Sequence, residues 1–268
     1  MSFTYPGGLI TKNPVTPAGP YQDGAASGVW KLNEIAYWIK QGLWPIAGNI
    51  DLGDPYFDYV TLLLTGNGTN GAQNNTFLDS SSNAFSITRN GNTTQGSFSP
   101  YGSLWSNYFN GSSYLTTPYS SVLNVGSAYT IEGWFNSSVA QSAYATNVGA
   151  IVGSGGSFPS LYLTSTGARH WSKDSGANLT YTFSFSQNTW YHFALVLSSN
   201  VWTLYINGTS VGTNADSSTF TTGASTLFIG SANTSGNSYF YGNLSNIRIN
   251  TTDRKSTRLN SSHLGISY

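Results

Sequence analysis

Between Tyr59 and Ile249 the chain alternates apolar and polar residues in short runs, broken by turn signals roughly every 8 to 15 residues, which predicts an all-β sandwich. Val60–Leu64 opens the series, and Tyr129–Phe135, Gly149–Val152, Ser160–Thr164, Trp190–Leu197, Trp202–Ile206 and Thr226–Ile229 continue it. The clearest hairpin is Ile206-Asn207-Gly208-Thr209, because Asn-Gly accepts the two positive φ values of a type I′ turn. Trp202–Ile206 should therefore pair antiparallel with Ser210–Thr213. Successive side chains of a strand point to opposite faces, so Ile131 and Phe135 share the core side and leave Glu132 and Trp134 on the other. Tyr162 likewise opposes Leu161 and Leu163. In Ala168–Lys173 the alternation puts Arg169, Trp171 and Lys173 together, and two cations there imply a wet face.

The pattern stops at both ends. Residues 1–58 hold six of the nine prolines and predict an extended N-terminal arm, since Pro and Gly deny its first thirty residues both helix and a central strand. From Trp30 to Gln41 the spacing becomes helical: Leu32, Ile35, Ala36 and Ile39 form one stripe, closed by Gly42. Trp30, Tyr37, Trp38 and Trp44 crowd this piece, which must dock on its own sandwich, a neighbouring chain or a particle. At the other end, Asp253–His263 carries three of the ten basic residues in a chain otherwise nearly free of charge. Residues 253–268 are similar to the conceptual translation of a common short-read sequencing adapter, which implies a non-native tail and a protein that continued past about Thr252. The expected organisation is arm 1–58, sandwich 59–252 and tail 253–268.

Composition agrees with strands and narrows the function. Charged residues are 7% of the 268, where a soluble domain usually has about 25%. Ser (40), Thr (30) and Asn (26) supply the polarity instead, and Glu occurs only at Glu34 and Glu132. This excludes a helical bundle or coiled coil. No run of 18 apolar residues exists, and the opening lacks the basic and apolar regions of a cleaved signal. The absence of Cys removes disulfides and thiolate metal sites, and a net charge of zero without a basic run argues against nucleic acid as partner.

Five motifs carry a resemblance: Tyr129–Phe135, Trp190–Val196, Leu204–Gly212, Leu227–Gly230 and Tyr241–Ile249, in that order. Together they resemble the concanavalin A-like lectin/glucanase superfamily, in its laminin G-like branch, over about residues 59–250. The resemblance implies an antiparallel jelly-roll sandwich. The last motif usually carries two acidic residues where this chain has Ser245 and Asn246, so an acid-dependent role there is not expected. Gly7–Lys12 and Trp30–Trp38 are similar to the openings of structural proteins of marine tailed bacteriophages, which implies a virion location.

Some members of the superfamily hydrolyse glycans with two carboxylates about 5 to 5.5 Å apart. On one strand that needs acids at i and i+2 or i+4, and Glu132 has none, so no catalytic residue is expected and Glu132 reads as a structural carboxylate bonded to a backbone group or an Arg. No nucleophile elbow supports a triad around His170 or His192. Sugar binding needs less: an aromatic face against the pyranose and Asn, Asp or backbone groups for its hydroxyls. Trp134, Tyr162 and Trp171, with Arg169, are the candidate carbohydrate-binding residues, each with packing beneath a loop or the arm as the alternative. The resemblance also implies a Ca²⁺ ion at the sandwich rim, but the loop acids Asp79, Asp174 and Asp216 form no Ca-loop cluster, so no metal or other cofactor is expected. The sequence therefore predicts a non-catalytic, lectin-like module of a phage virion or tail fibre that binds host-surface glycans multivalently, as a homo-oligomer or on a particle, with virion proteins on its arm. A structural module making only protein contacts is the alternative, and a glycan hydrolase stands behind both.

Overall fold

The computed structural model describes residues 4–5, 8–9, 34, 37–38, 57–66, 76–100, 105–145, 149–154, 160–171, 178–216, 226–233 and 238–251. The chain divides into two compact units, Met1–Pro55 and Tyr56–Tyr268. In the first, strands β1 (Thr4–Tyr5) and β2 (Gly8–Leu9) form a small antiparallel ribbon. Of the helix expected over Trp30–Gln41, the described residues Glu34, Tyr37 and Trp38 are helical, with the Tyr37 and Trp38 rings edge to face at 5.0 Å. The rest of that helix and the expected tail, 253–268, lie outside the described residues.

The second unit is an all-β, antiparallel jelly-roll sandwich: the alternation predicted the all-β sandwich, and the resemblance implied the jelly roll. Its strands are β3 (Val60–Leu64), β4 (Thr88–Asn90), β5 (Thr94–Gly96), β6 (Ser106–Asn110), β7 (Tyr114–Pro118), β8 (Ala128–Ser137), β9 (Gly149–Gly153) and β10 (Ser160–Thr164). There follow β11 (Gly167–Trp171), β12 (Asn178–Thr182), β13 (Trp190–Ser198), β14 (Val201–Ile206), β15 (Thr209–Ala215), β16 (Thr226–Ile229) and β17 (Tyr241–Asn250). One sheet has seven strands in the order β12-β11-β10-β9-β16-β7-β4. The other has eight strands, seven in the order β15-β14-β13-β8-β17-β6-β5 and β3 beside β17. The expected hairpin joins β14 to β15 in antiparallel register, with Asn207 at φ 49° and Gly208 at φ 78°.

The core lies between the sheets and is filled by one face of each strand. Tyr129, Ile131 and Phe135 of β8 meet Phe193, Leu195 and Leu197 of β13 and Leu244, Ile247 and Ile249 of β17. Leu161, Leu163, Leu115, Leu227 and Ile229 come from the seven-stranded sheet. The apolar positions of β17 change parity, from Leu244 to Ile247 and Ile249, because a bulge lies between Ser245 and Arg248, with Asn246 at φ 50°. The bulge keeps Ile247 and Ile249 inward and turns Arg248 outward, directly across from Glu132.

Asp79 ties the 76–86 segment to β3. Its Oδ1 accepts the backbone N–H groups of Leu63 (2.9 Å) and Ser81 (2.9 Å), and its Oδ2 accepts the Ser81 hydroxyl (2.8 Å) and the Phe85 N–H (3.0 Å). Asp79→Asn keeps the size of the side chain and replaces one charged acceptor with a donor. The substitution should lower stability by about 1–2 kcal/mol. In urea unfolding this appears as a lower midpoint at unchanged slope; an unchanged midpoint would mean that the carboxylate does not hold the loop.

Candidate functional site

Among the described residues, one layer of side chains crosses the outer face of the eight-stranded sheet in unbroken register. Thr94 of β5 pairs with Tyr108 of β6, Tyr108 with Asn243 of β17, Asn243 with Asn136 of β8, and Asn136 with Trp190 of β13. Directly paired positions place their side chains side by side on one face, so five strands contribute one aromatic and amide row. Toward one end the row continues into Tyr241 and Asn110, themselves register partners. The Tyr108 and Tyr241 rings meet edge to face at 6.3 Å. Burial and a hydrogen bond with Tyr241 push the Tyr108 phenol above its ordinary value. Toward the centre the row continues into Trp134, whose ring stands edge to face on His192 at 5.2 Å.

Exposure falls along this face. Tyr241 is exposed, Tyr108, Asn243, Trp134 and Trp190 are half-buried, and Asn136 is 2% exposed. Gly242 makes the close approach of β17 to β8 possible: its φ is +141°, and a Cβ there would stand 2.0 Å from the Asn136 carbonyl oxygen. The chain before β6 is strapped to the same face by side chains. Ser245 Oγ donates to the Trp105 carbonyl (2.8 Å), Ser106 Oγ donates to the Phe98 carbonyl, and Asn243 Nδ2 donates to Ser106 Oγ (2.9 Å). The Phe98 ring lies tilted against the Trp190 indole at 5.4 Å.

Beyond Trp134 the face is charged but neutral in sum. Arg248 Nε stands 2.9 Å from Glu132 Oε1, and both side chains are buried. Glu132 is thus the structural carboxylate expected, held by an Arg. Among the described side chains of this unit the other acids are Asp79, engaged in its loop, and Asp216, close enough to Tyr181 and His170 to act on both electrostatically. The two oxygens of Asp79 already accept four donors, which does not fit a Ca²⁺ ligand. Asp174 lies outside the described residues. Among the described residues no group of three His, Asp or Glu side chains could hold a metal ion, and no helix is long and apolar enough to cross a membrane.

The sequence-selected residues do not converge on one place. Trp134 lies on the outer face of the eight-stranded sheet, beside the row. Tyr162 and Arg169 lie on the outer face of the seven-stranded sheet, where they are register partners. Tyr162 is 5% exposed, packed with Ala150 and Ala232, and the Arg169 guanidinium stands 5.6 Å over its ring. Trp171 ends β11 opposite Ser160, and its side chain lies outside the described residues, as does Lys173. On the same face as Tyr162, Tyr114 stacks on Tyr239 at 6.0 Å and tilts against Phe228 at 5.7 Å. The residues missed in the sequence are Thr94, Tyr108, Asn110, Asn136, Trp190, Tyr241 and Asn243. The one local signal for part of them is Asn110-Gly111, a tight turn with Gly111 at φ 78° that carries the chain from β6 in one sheet to β7 in the other.

A family model of the concanavalin A-like lectin/glucanases superfamily, of the laminin G type, matches residues 109–258, more than half of the chain. No curated protein matches by sequence. The fold is similar to that of the botulinum neurotoxin serotype C1 binding domain, with a TM-score of 0.63 at 13% identity over 80% of this chain and 53% of that one. It is also similar to botulinum neurotoxin type C, whose passage into cells depends on interaction with two ganglioside molecules (TM-score 0.62, 13% identity, 80% and 52% covered). A third similar structure is the binding domain of Paraclostridial Mosquitocidal Protein 1 (TM-score 0.59, 13% identity, 76% and 52% covered). The chain spans about half the length of these structures.

Proposed function

Because this chain belongs to the concanavalin A-like lectin/glucanases superfamily, we propose that it is a non-catalytic carbohydrate-binding module and that the aromatic and amide row of its eight-stranded sheet is the binding face. The observation that carries this reading is the row itself. Tyr241, Tyr108, Trp134 and Trp190 offer aromatic surface for the apolar side of a sugar ring, and Asn110, Asn243 and Thr94 offer neutral donors and acceptors for its hydroxyls. Neutral amides suit a neutral sugar. Hydrolysis would need a second carboxylate beside Glu132, which is instead bound to Arg248. The toxin relatives by fold are binding domains, and the type C toxin uses gangliosides.

The similarity of the chain's opening to marine phage structural proteins supports host-surface glycans as the target and virion proteins as the partners of residues 1–58. Several copies on one particle would convert weak single sites into avidity. The seven-stranded sheet favours the second reading, a structural virion module: its Tyr162 is buried and its ring is covered by Arg169.

A bacterial glycan array probed with the full chain, with and without Ca²⁺, separates the two. Binding that is independent of Ca²⁺ and falls about tenfold in Tyr108→Ala/Tyr241→Ala, with circular dichroism unchanged, is the expected result. No glycan bound by the folded protein would leave only the structural module.

A further inference from the structure

Two hydrogen-bond donors on the proposed binding face are buried without an acceptor. Trp190 Nε1–H and Asn136 Nδ2–H₂ are both shut off from solvent, and neither has a hydrogen-bond partner among the described residues. They belong to directly paired positions of β13 and β8, so they stand side by side. An indole nitrogen can only donate. Burying a donor unpaired costs free energy, and two such groups on directly paired positions mark a place suited to an acceptor.

We infer that this pair receives the carbonyl oxygen of an acetamido group, so that the module selects N-acetylated sugars; the inference rests on the carbohydrate-binding reading above. A carbonyl oxygen has two lone pairs and no proton, and one such atom can satisfy both donors. A sugar hydroxyl would bring its own proton, which needs an acceptor that the indole cannot provide. A carboxylate would bring a net charge into a face whose one cation among the described residues, Arg248, is already neutralised by Glu132, and a buried unpaired charge is costly. An acetamido group also carries a methyl, for which Phe98, against Trp190, and Trp134, two residues from Asn136 on the same face, offer apolar surface. The Phe98 ring lies against the Trp190 indole and is itself 55% exposed; its displacement by the ligand is part of the inference.

The test uses the full chain and variants Asn136→Leu and Trp190→Phe on glycan pairs that differ only at one substituent. Tetra-N-acetylchitotetraose and cellotetraose are the first pair, cellotetraose oxidised at C6 supplies the carboxylate, and array glycans supply N-acetylated and hydroxyl members of other stereochemistry. The wild type should prefer the acetamido member of its bound pair by at least tenfold, and each variant should bring that ratio near one. Both variants should also unfold, without ligand, at the same or a higher temperature than the wild type, because each removes an unsatisfied donor. Binding without acetamido preference, a preference for the carboxylate, a ratio unchanged in both variants, or a lowered unfolding temperature in both would overturn the inference and leave carbohydrate binding standing. No binding of any glycan by the folded wild type would overturn both.

Discussion

Glu132→Leu is expected to cost the sandwich about 3–5 kcal/mol, and Arg248→Met about as much, while the double variant Glu132→Leu/Arg248→Met should fall close to the wild type. The two groups are cross-strand partners on β8 and β17, 2.9 Å apart, with side chains 1% and 7% exposed. Each removes the other's charge from an environment that cannot solvate it. Taking away one partner strands the second, and the stranded charge rather than the lost attraction sets the cost. Replacing both by apolar side chains removes the desolvation penalty together with the attraction, which is why the double change should be mild. Urea unfolding of the four proteins completes the cycle, with a coupling energy of several kcal/mol as the expected outcome. A double variant destabilised by the sum of the single ones would show that the pair acts through other partners.

Stability should also fall by about 5 kcal/mol between pH 6.5 and about 3 on account of one histidine. His170 of β11 lies in the core, stacked on Tyr181 at 5.8 Å and tilted against Trp202 at 4.8 Å, with its Nδ1 3.2 Å from the Tyr181 hydroxyl. Burial pushes its pKa from 6.5 down to about 3, and Asp216 opposes the shift only in part. The same burial raises the Tyr181 phenol to about 12. The folded protein therefore keeps a neutral imidazole throughout this window, whereas the unfolded chain takes up a proton below pH 6.5. The unfolded state binds more protons, so stability declines as the pH falls and stops declining on this account once the folded imidazole itself protonates near pH 3. His170→Phe keeps an aromatic ring between Tyr181 and Trp202 and cannot titrate. It should be the less stable protein at pH 7, by about 1–2 kcal/mol for the lost hydrogen bond, and the more stable one at pH 4. Parallel stability curves for the two proteins from pH 7 to 4 would refute this account. The carboxylates common to both proteins cancel in the comparison.

What was legible in the sequence follows strand by strand. Ser160–Thr164 and Thr226–Ile229 form with the predicted ends, because each is a short apolar or aromatic run, buried on both faces and bounded by polar residues. The strands β4 to β7 carried too little apolar alternation to be seen. Thr88–Asn90 and Thr94–Gly96 are short edge strands of polar residues, and Gln95 and Asn107 are buried although their side chains are amides. The parity change in β17 was hidden for a different reason: a bulge at Asn246 depends on the register with β8, which no local pattern records.

The site shows the same division. Alternation correctly separated Glu132 and Trp134 from the core, and Tyr162 from its leucines, but alternation says only that a residue leaves the core, not through which sheet. Trp134 leaves through one sheet, and Tyr162 and Arg169 through the other. The row from Thr94 to Trp190 is drawn from five strands of the sequence and exists only once β5, β6, β17, β8 and β13 stand in that order.

The pairing of β3 with β17 gives the second unit an unusual mechanical character. Val60 lies opposite Asn250, and the N–H of Thr251 reaches the Tyr59 carbonyl at 3.2 Å. The incoming and outgoing ends of the sandwich are thus adjacent, as in a plug with both wires on one side, and such a unit can be spliced into a loop of another protein without stretching it. A pull applied to those two ends would load the β3–β17 pairs one after another, like a zipper, rather than all together in shear. The module is built to be carried at a single point and to part first at the point where it is held.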